Sequence, residues 1–253
     1  MTDHQSLRNL PQKVKAYVIS LPGARERRES VHRQLEGSKV DWEIVDAVSV
    51  DDEKVRQMAV GGRESRLWHK PLQMGEFACY LSHRLVWQRM IEDSVDYAII
   101  LEDDFQLKKP LDDVVQLLAS LSKQPDMVKL YGIPKISHVV ETSSVGTGEY
   151  QLLEAFAVTS GTVGQWVSRN AVPRLLAHSE LIQRPIDMDL KHYWEFPISV
   201  YHLHPPVVEE ISSILGGTSI THRRSKKTLR MQLKRWKLKL CFYFFCLKYY
   251  RSR

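Results

Sequence analysis

Asp96-Tyr-Ala-Ile-Ile-Leu101 runs directly into Glu102-Asp103-Asp104. An unbroken apolar run of this length is too short for an ordinary helix and is typical of a strand covered on both faces. Strands of that kind belong to parallel sheets, and ligands of open α/β sheets sit outside the carboxyl ends of the strands. Glu102 to Asp104 occupy such a place. Three consecutive carboxylates repel one another unless a cation or water relieves them. On an extended chain Glu102 and Asp104 project to one side and Asp103 to the other. That alternation predicts an E-x-D pair holding one hard cation, Mg²⁺ or Mn²⁺. A solvated acidic turn is the competing reading.

Outward from this strand the pattern alternates between strand and helix. Lys15 to Leu21 reads as a strand ending at Pro22-Gly23, and Ala24 to Glu36 as a helix with apolar Val31 and Leu35. Trp42 to Val45 suggests a second strand, and Gly61-Gly62 through Pro71 a loop. Met74, Phe77, Ala78, Leu81 and Leu85 fall at helical spacing in a segment running to Ile91. After the acidic cluster, Leu111 to Leu121 predicts a helix with Asp112 and Asp113 at its positive end. Met127 to Tyr131 predicts a strand. The second half is less regular: a Ser/Thr/Gly loop around Ser143 to Gly148, an apolar run from Leu152 to Val158, a helix capped by Asn170 with Pro173 in its first turn, and a strand from Ile198 to Leu203. The fold class is α/β, a sandwich with a mainly parallel central sheet.

The 253 residues are 43% hydrophobic and carry 36 Lys and Arg against 30 Asp and Glu, which excludes a disordered tail and gives the chain a core of useful size. The charge is unevenly placed. Residues 211–253 hold 12 basic residues and no acidic one, leaving 24 basic against 30 acidic over residues 1–210. An acidic body thus carries a basic tail suited to an anionic surface. In the tail, Leu229, Leu233, Trp236, Leu240, Tyr243, Leu247 and Tyr250 keep a three-or-four spacing among Arg230, Lys234, Lys237, Lys248 and Arg251. The apolar stretch from Leu240 to Leu247 is too short to cross a bilayer, so the tail is expected to lie in the interface of an anionic leaflet; nucleic acid is the alternative partner. Cys79, Cys241 and Cys246 make neither a disulfide framework nor a zinc knuckle, which favours a reducing compartment. Met1 to Gln12 shows no secretory signal pattern, so the expected place is the cytoplasm.

Other residues also suggest chemistry. Asp187 and Asp189 stand between Pro185 and the aromatic stretch His192 to Trp194, where a carboxylate near rings can act as a base or simply cap a short helix. Ser82 and His83 are adjacent on a helix, which does not bring them face to face as a dyad. Arg25, Arg27 and Arg28 follow the first strand and suit either phosphate or a solvated helix face. The sequence contains no Walker or dinucleotide glycine loop.

The order Val18-Ile-Ser-Leu21 with Arg25 and Arg28, Asp46-Ala-Val48, Gly75-Glu-Phe-Ala-Cys-Tyr-Leu-Ser-His83, Ile99 to Asp104, Gly161-Thr162 with Val167-Ser-Arg169, and Pro185-Ile-Asp187 resembles the lipopolysaccharide glycosyltransferases of glycosyltransferase family 25. The likeness spans roughly residues 14 to 210. It implies a GT-A-like nucleotide-sugar fold, a UDP-sugar donor that is most often UDP-galactose, a divalent metal and inversion at the anomeric carbon. By the same resemblance Glu102 and Asp104 are the expected metal ligands. Asp187 is the expected base, with Asp189 second. Ser20, Arg25, Arg28, Glu76, Ser82, His83 and Asp103 are expected on the donor side. Ser20 stands where the family often has Asn, and Thr218-Ser219-Ile220 lacks the acidic residue expected beside its serine.

These expectations divide the chain into an N-terminal extension (1–13), a catalytic domain (14–217) and a basic membrane-associating tail (218–253). The expected partners are a UDP-sugar, a lipid-linked oligosaccharide acceptor and an anionic membrane surface on the cytoplasmic face of the inner membrane, with no nucleic acid. A metal-dependent nuclease and a non-catalytic membrane adaptor are the rival functions.

Overall fold

The computed structural model describes residues 13–60, 65–121, 124–215 and 228–251. In chain order the elements are β1 (Val14–Ser20), α1 (Arg25–Leu35), β2 (Asp41–Asp46), α2 (Glu53–Val60), α3 (Met74–Glu92), β3 (Tyr97–Glu102), β4 (Phe105–Leu107), α4 (Leu111–Ala119), β5 (Met127–Lys129), β6 (Val139–Val145), β7 (Tyr150–Ala155), β8 (Gly164–Ser168), α5 (Val172–His178), α6 (Ile186–Leu190), β9 (Val200–His204), β10 (Val208–Glu210) and α7 (Leu229–Arg251). Eight strands form one sheet in the order β2-β1-β3-β8-β5-β9-β7-β6, and β10 pairs with β4 beside it. The pairings make β1, β2, β3, β5, β6 and β9 run one way and β7 and β8 the other, so the sheet is mainly parallel in strand direction.

Strand alternation builds the two cores. Tyr17 and Ile19 of β1 and Ile100 of β3 face a layer formed by α3, α5 and α6, through Phe77, Trp87, Val172 and Ile186. Ala16 and Val18, with Ile99 and Leu101, face the other layer, made by Val31 and Leu35 of α1 and Leu111, Val114 and Leu118 of α4. Covered on both faces, β3 reads as an unbroken apolar run for the reason anticipated.

Several expectations need correction. The Met74 helix forms, but Met74 and Leu85 are exposed, whereas Tyr80, His83, Val86, Trp87 and Met90 are buried. Ser143 to Val145 belong to the edge strand β6, and the turn begins only at Gly146. Edge pairing on one side needs no buried face, so this strand carries little apolar alternation. Helix α2 and strand β8 had no prediction. The tail helix forms as predicted. The extension before Lys13 and the Thr218 to Ile220 segment lie outside the described residues.

Candidate active site

Parallel pairing brings the carboxyl ends of β1 and β3 side by side, so Ser20 and Glu102 to Asp104 meet at one edge of the sheet. They line a cavity with Arg27 of α1, the Ala47 to Val50 segment after β2, and Cys79, Ser82 and His83 of α3. The predicted alternation of Glu102 and Asp104 against Asp103 breaks at the turn after Glu102. Asp103 and Asp104 share Arg27, whose Nη1 lies 2.6 Å from Asp103 Oδ1 and 3.5 Å from Asp104 Oδ2. Asp103 also accepts a 2.7 Å hydrogen bond from Ser20 Oγ, and its amide donates to Ile19 O, so it fixes the turn. Glu102 instead accepts from Thr162 Oγ1 and stands 3.6 Å from His83 Nε2.

The electrostatics separate these carboxyls. Burial drives Glu102 up to about 7; the Thr162 bond opposes the shift, while Asp104, Asp187 and Asp103 add to it. Asp104 is raised by burial, which Arg27 partly offsets, and its Oδ1 is buried without a hydrogen-bond partner. Glu102 and Asp104 line the same cavity and Asp104 Oδ1 has no hydrogen-bond partner, so these are the two residues there that could hold a hard cation. His83 is buried, and burial brings it down to about 3; it is a neutral imidazole neither of whose nitrogens has a hydrogen-bond partner.

Other predicted residues have structural partners. Glu76 closes the capping box of α3, accepting from Gln73 N at 2.7 Å and Lys70 Nζ at 3.0 Å. Ser82 Oγ accepts from Val48 N at 2.9 Å and donates to Ala78 O, holding the segment after β2 against α3. Arg28 bonds Ser20 O, Leu21 O and Asp46. Arg25 is exposed and is not among the lining residues, so of the three arginines it is Arg27 that reaches the acidic turn.

Pro185 caps α6, and the turn of that helix separates the two later aspartates. Positions i and i+2 lie about 200° apart around a helix, so they face different ways. Asp189 points inward and accepts from Arg184 Nη1 at 2.6 Å and Tyr80 Oη at 2.7 Å, with His178 Nε2 at 3.2 Å. Burial alone would raise its pKa, but the bonds from His178 and Tyr80 and the charges of His178 and Arg184 hold it below the usual range. His178, Asp189 and Glu195 bring potential metal-ligand atoms within 4.8 Å of one another. Arg184 already bonds both carboxylates there, so a guanidinium supplies the positive charge. Asp187 is half-buried and does not line the cavity, yet its charge raises both Glu102 and the lining thiol of Cys79.

Sequence reasoning missed Lys129 and His202, neighbours across β5 and β9. Burial lowers Lys129 to about 8, although Asp187 and Glu102 pull the other way; its ammonium donates to Thr159 O and Gly161 O. A Lys inside the apolar stretch Met127 to Tyr131 was the available signal. Burial lowers His202 to about 3, with Lys129 adding to the shift, and its Nε2 accepts from Thr159 N at 3.2 Å. Together they fix the loop that carries Gly161 and Thr162. Gly161 has φ +89°, and a Cβ there would meet the Tyr131 ring at 2.7 Å.

Helix α7 packs back onto the body. Cys246 is fully buried, Phe242 lies 5.5 Å from Trp194, and Tyr249 lies 5.6 Å from Tyr193. Lys234 Nζ donates to Ser65 O at 2.6 Å. On the opposite face Leu229, Leu233, Trp236, Leu240, Phe244 and Leu247 form an exposed stripe. Among the described residues no helix is long and apolar enough to cross a membrane.

The family model described as glycosyltransferase family 25 (LPS biosynthesis protein) matches residues 13–190. Lipooligosaccharide biosynthesis protein lic2B of Haemophilus influenzae is 27% identical over 198 residues, 76% of this chain and 74% of the relative. Lacto-N-neotetraose biosynthesis glycosyltransferase LgtB of Neisseria gonorrhoeae is 28% identical over 165 residues, 62% of this chain and 57% of that protein. Procollagen galactosyltransferase 1-A of Xenopus laevis is 25% identical over 214 residues, 77% of this chain but only 34% of the longer relative.

Proposed function

The chain belongs to glycosyltransferase family 25, and from that premise we propose that it transfers galactose from UDP-galactose to a saccharide of a lipooligosaccharide or lipopolysaccharide acceptor, with inversion and the help of Mn²⁺ or Mg²⁺. The observation that carries the reading is the cavity at the ends of β1 and β3, with the orphaned Asp104 Oδ1 beside Glu102. The printed names of lic2B, LgtB and the procollagen galactosyltransferase support the acceptor and sugar classes. Membership of this family argues against the nuclease reading, and the carboxylate-lined cavity favours an enzyme over a membrane adaptor.

Glu102 and Asp104 would hold the cation, which when bound neutralises a diphosphate leaving group. Arg27 and Ser20 fix Asp103, and through it the turn that aims Asp104 into the cavity. Asp187 takes the proton of the accepting hydroxyl in a single in-line displacement. Asp189 serves instead to fix α6, and so the position of Asp187. Helix α7 rests its exposed apolar stripe on an anionic leaflet, at the cytoplasmic face where a lipid-linked acceptor is presented.

The test is UDP release by the purified chain from UDP-galactose with Mn²⁺, with and without a lipooligosaccharide acceptor, and NMR of the product anomer. Acceptor-dependent release with an inverted linkage is expected. Absence of acceptor-dependent release with any UDP-hexose, or a retained linkage, would contradict the proposal.

A further inference from the structure

A second cavity lies in the seam between α7 and the body, away from the carboxylate cleft. Its walls come from Trp68 and His69 of the loop before α3, Lys191 just after α6, and Arg235, Lys239 and Phe242 of α7. Three of these side chains are cations, and no carboxylate is among the lining residues. Lys191, Arg235 and Lys239 give the cavity a positive lining, which favours an anionic ligand. Lys191 is half-buried and sits 5.2 Å from the centre of the Phe242 ring. Burial lowers its pKa, and Asp187, four residues away, is the carboxylate whose charge opposes that shift. The indole N–H of Trp68 is buried without an acceptor. Cations and aromatic walls make a pocket for a ligand with an anionic group and a flat, partly apolar body.

We propose that this seam is an acceptor subsite for an anionic saccharide, one bearing a phosphate or carboxylate on a ring near the accepting sugar. The proposal rests on the glycosyltransferase reading above. Lys191 places the pocket one helical turn beyond Asp187, the proposed base. The geometry of α7 favours a sugar over a lipid headgroup. Phe242, which lines the pocket, faces the body, whereas Leu233, Trp236 and Leu240 point outward, and Lys239, its ammonium 5.9 Å from the centre of the Trp236 ring, stands at the rim between the two faces. Two of the three cations belong to α7, and the subsite is incomplete without it.

Calorimetric titration of the full chain tests this with galactose 6-phosphate, galacturonate, galactose, glycerol 1-phosphate and inorganic phosphate, alongside UDP-galactose with Mn²⁺. The comparison protein is Arg235→Ala/Lys239→Ala, with Lys239→Glu as a second variant. Both side chains are exposed, and circular dichroism verifies the fold. At least one of the two anionic sugars is expected to bind about tenfold or more tighter than galactose or inorganic phosphate, and to lose about tenfold or more in the variants, with UDP-galactose binding unchanged. Anionic sugars that bind no tighter than galactose, or equally well to the variants, overturn the subsite. Glycerol 1-phosphate binding as tightly as the sugar phosphate assigns the anion to a headgroup and overturns the saccharide assignment. UDP-galactose binding without anionic-sugar binding overturns the subsite alone. The reverse outcome keeps the pocket and overturns the transfer reading.

Discussion

Replacing Asp189 with Asn separates structural support from catalysis at α6. Asp189 and Arg184 are each 3% exposed, and Arg184 bridges Asp189 to Glu195. Removing one partner of a buried ion pair costs about 3–5 kcal/mol, because the remaining charge loses its match. Asn keeps the shape and one acceptor for Tyr80, and Glu195 still bonds Arg184, so the lower end, about 3 kcal/mol, applies. For a chain of this size that is a fall in Tm of about 6–12 °C. Turnover per folded molecule should stay within about threefold of wild type, whereas Asp187→Asn should keep its Tm and lose at least about 100-fold in turnover. The Asp189 contribution also has a pH signature. Its folded pKa is depressed, so the stability it supplies is fully present above the unfolded value of about 3.9 and is lost as pH falls through the lower folded value. The Tm gap between wild type and Asp189→Asn should therefore close in acid. Differential scanning calorimetry across pH, paired with a UDP-release assay, measures both quantities. An Asp189→Asn protein with wild-type Tm and a 100-fold or greater loss of turnover would make Asp189 the base and refute this reasoning.

Two further outcomes are expected. Leu233→Ser/Trp236→Ser/Leu240→Ser removes three exposed apolar side chains from the outer stripe of α7; burial in a leaflet is worth about 1.5 kcal/mol or more for each, so co-sedimentation with anionic vesicles should weaken by about 100-fold or more without change in Tm. Equal sedimentation would remove α7 as the membrane contact. Gly161→Ala forces a side chain into a positive-φ position and against Tyr131, and should lower stability by about 1–3 kcal/mol in denaturant titration; an unchanged midpoint would show that the loop yields freely.

The parts legible in the sequence were those where local pattern and tertiary demand agree. β3 is buried on both faces and reads as such, and α7 keeps its apolar period because one ridge is left exposed. β6 was missed because an edge strand such as Val139–Val145 satisfies its backbone with little buried side chain. α2 starts from an Asp52 side chain that accepts from Lys54 N, and Val55 is its buried anchor, too little for a periodic signal. On α3 the helical period misled because Glu76, Ser82 and His83 take buried positions while Leu85 is turned outward. Departures of this kind concentrate where a fold builds a site. The carboxylate cluster was readable as a unit, but its inner geometry depended on the turn after Glu102, which no alternation rule describes. Likewise nothing local distinguishes Arg27 from Arg25, or Asp187 from Asp189; only the rotation of α1 and α6 against the sheet does so.

The most direct measurement is calorimetric titration of the purified chain with UDP-galactose, UDP-glucose and UDP, each with and without Mn²⁺, beside Asp104→Asn. Mn²⁺-dependent binding of UDP-galactose, tighter than UDP-glucose and reduced about tenfold or more in Asp104→Asn, is the expected result. Binding of none of the three, or binding indifferent to both Mn²⁺ and Asp104, would contradict the assignment of the cavity beneath Glu102 and Asp104 as a metal-assisted donor site.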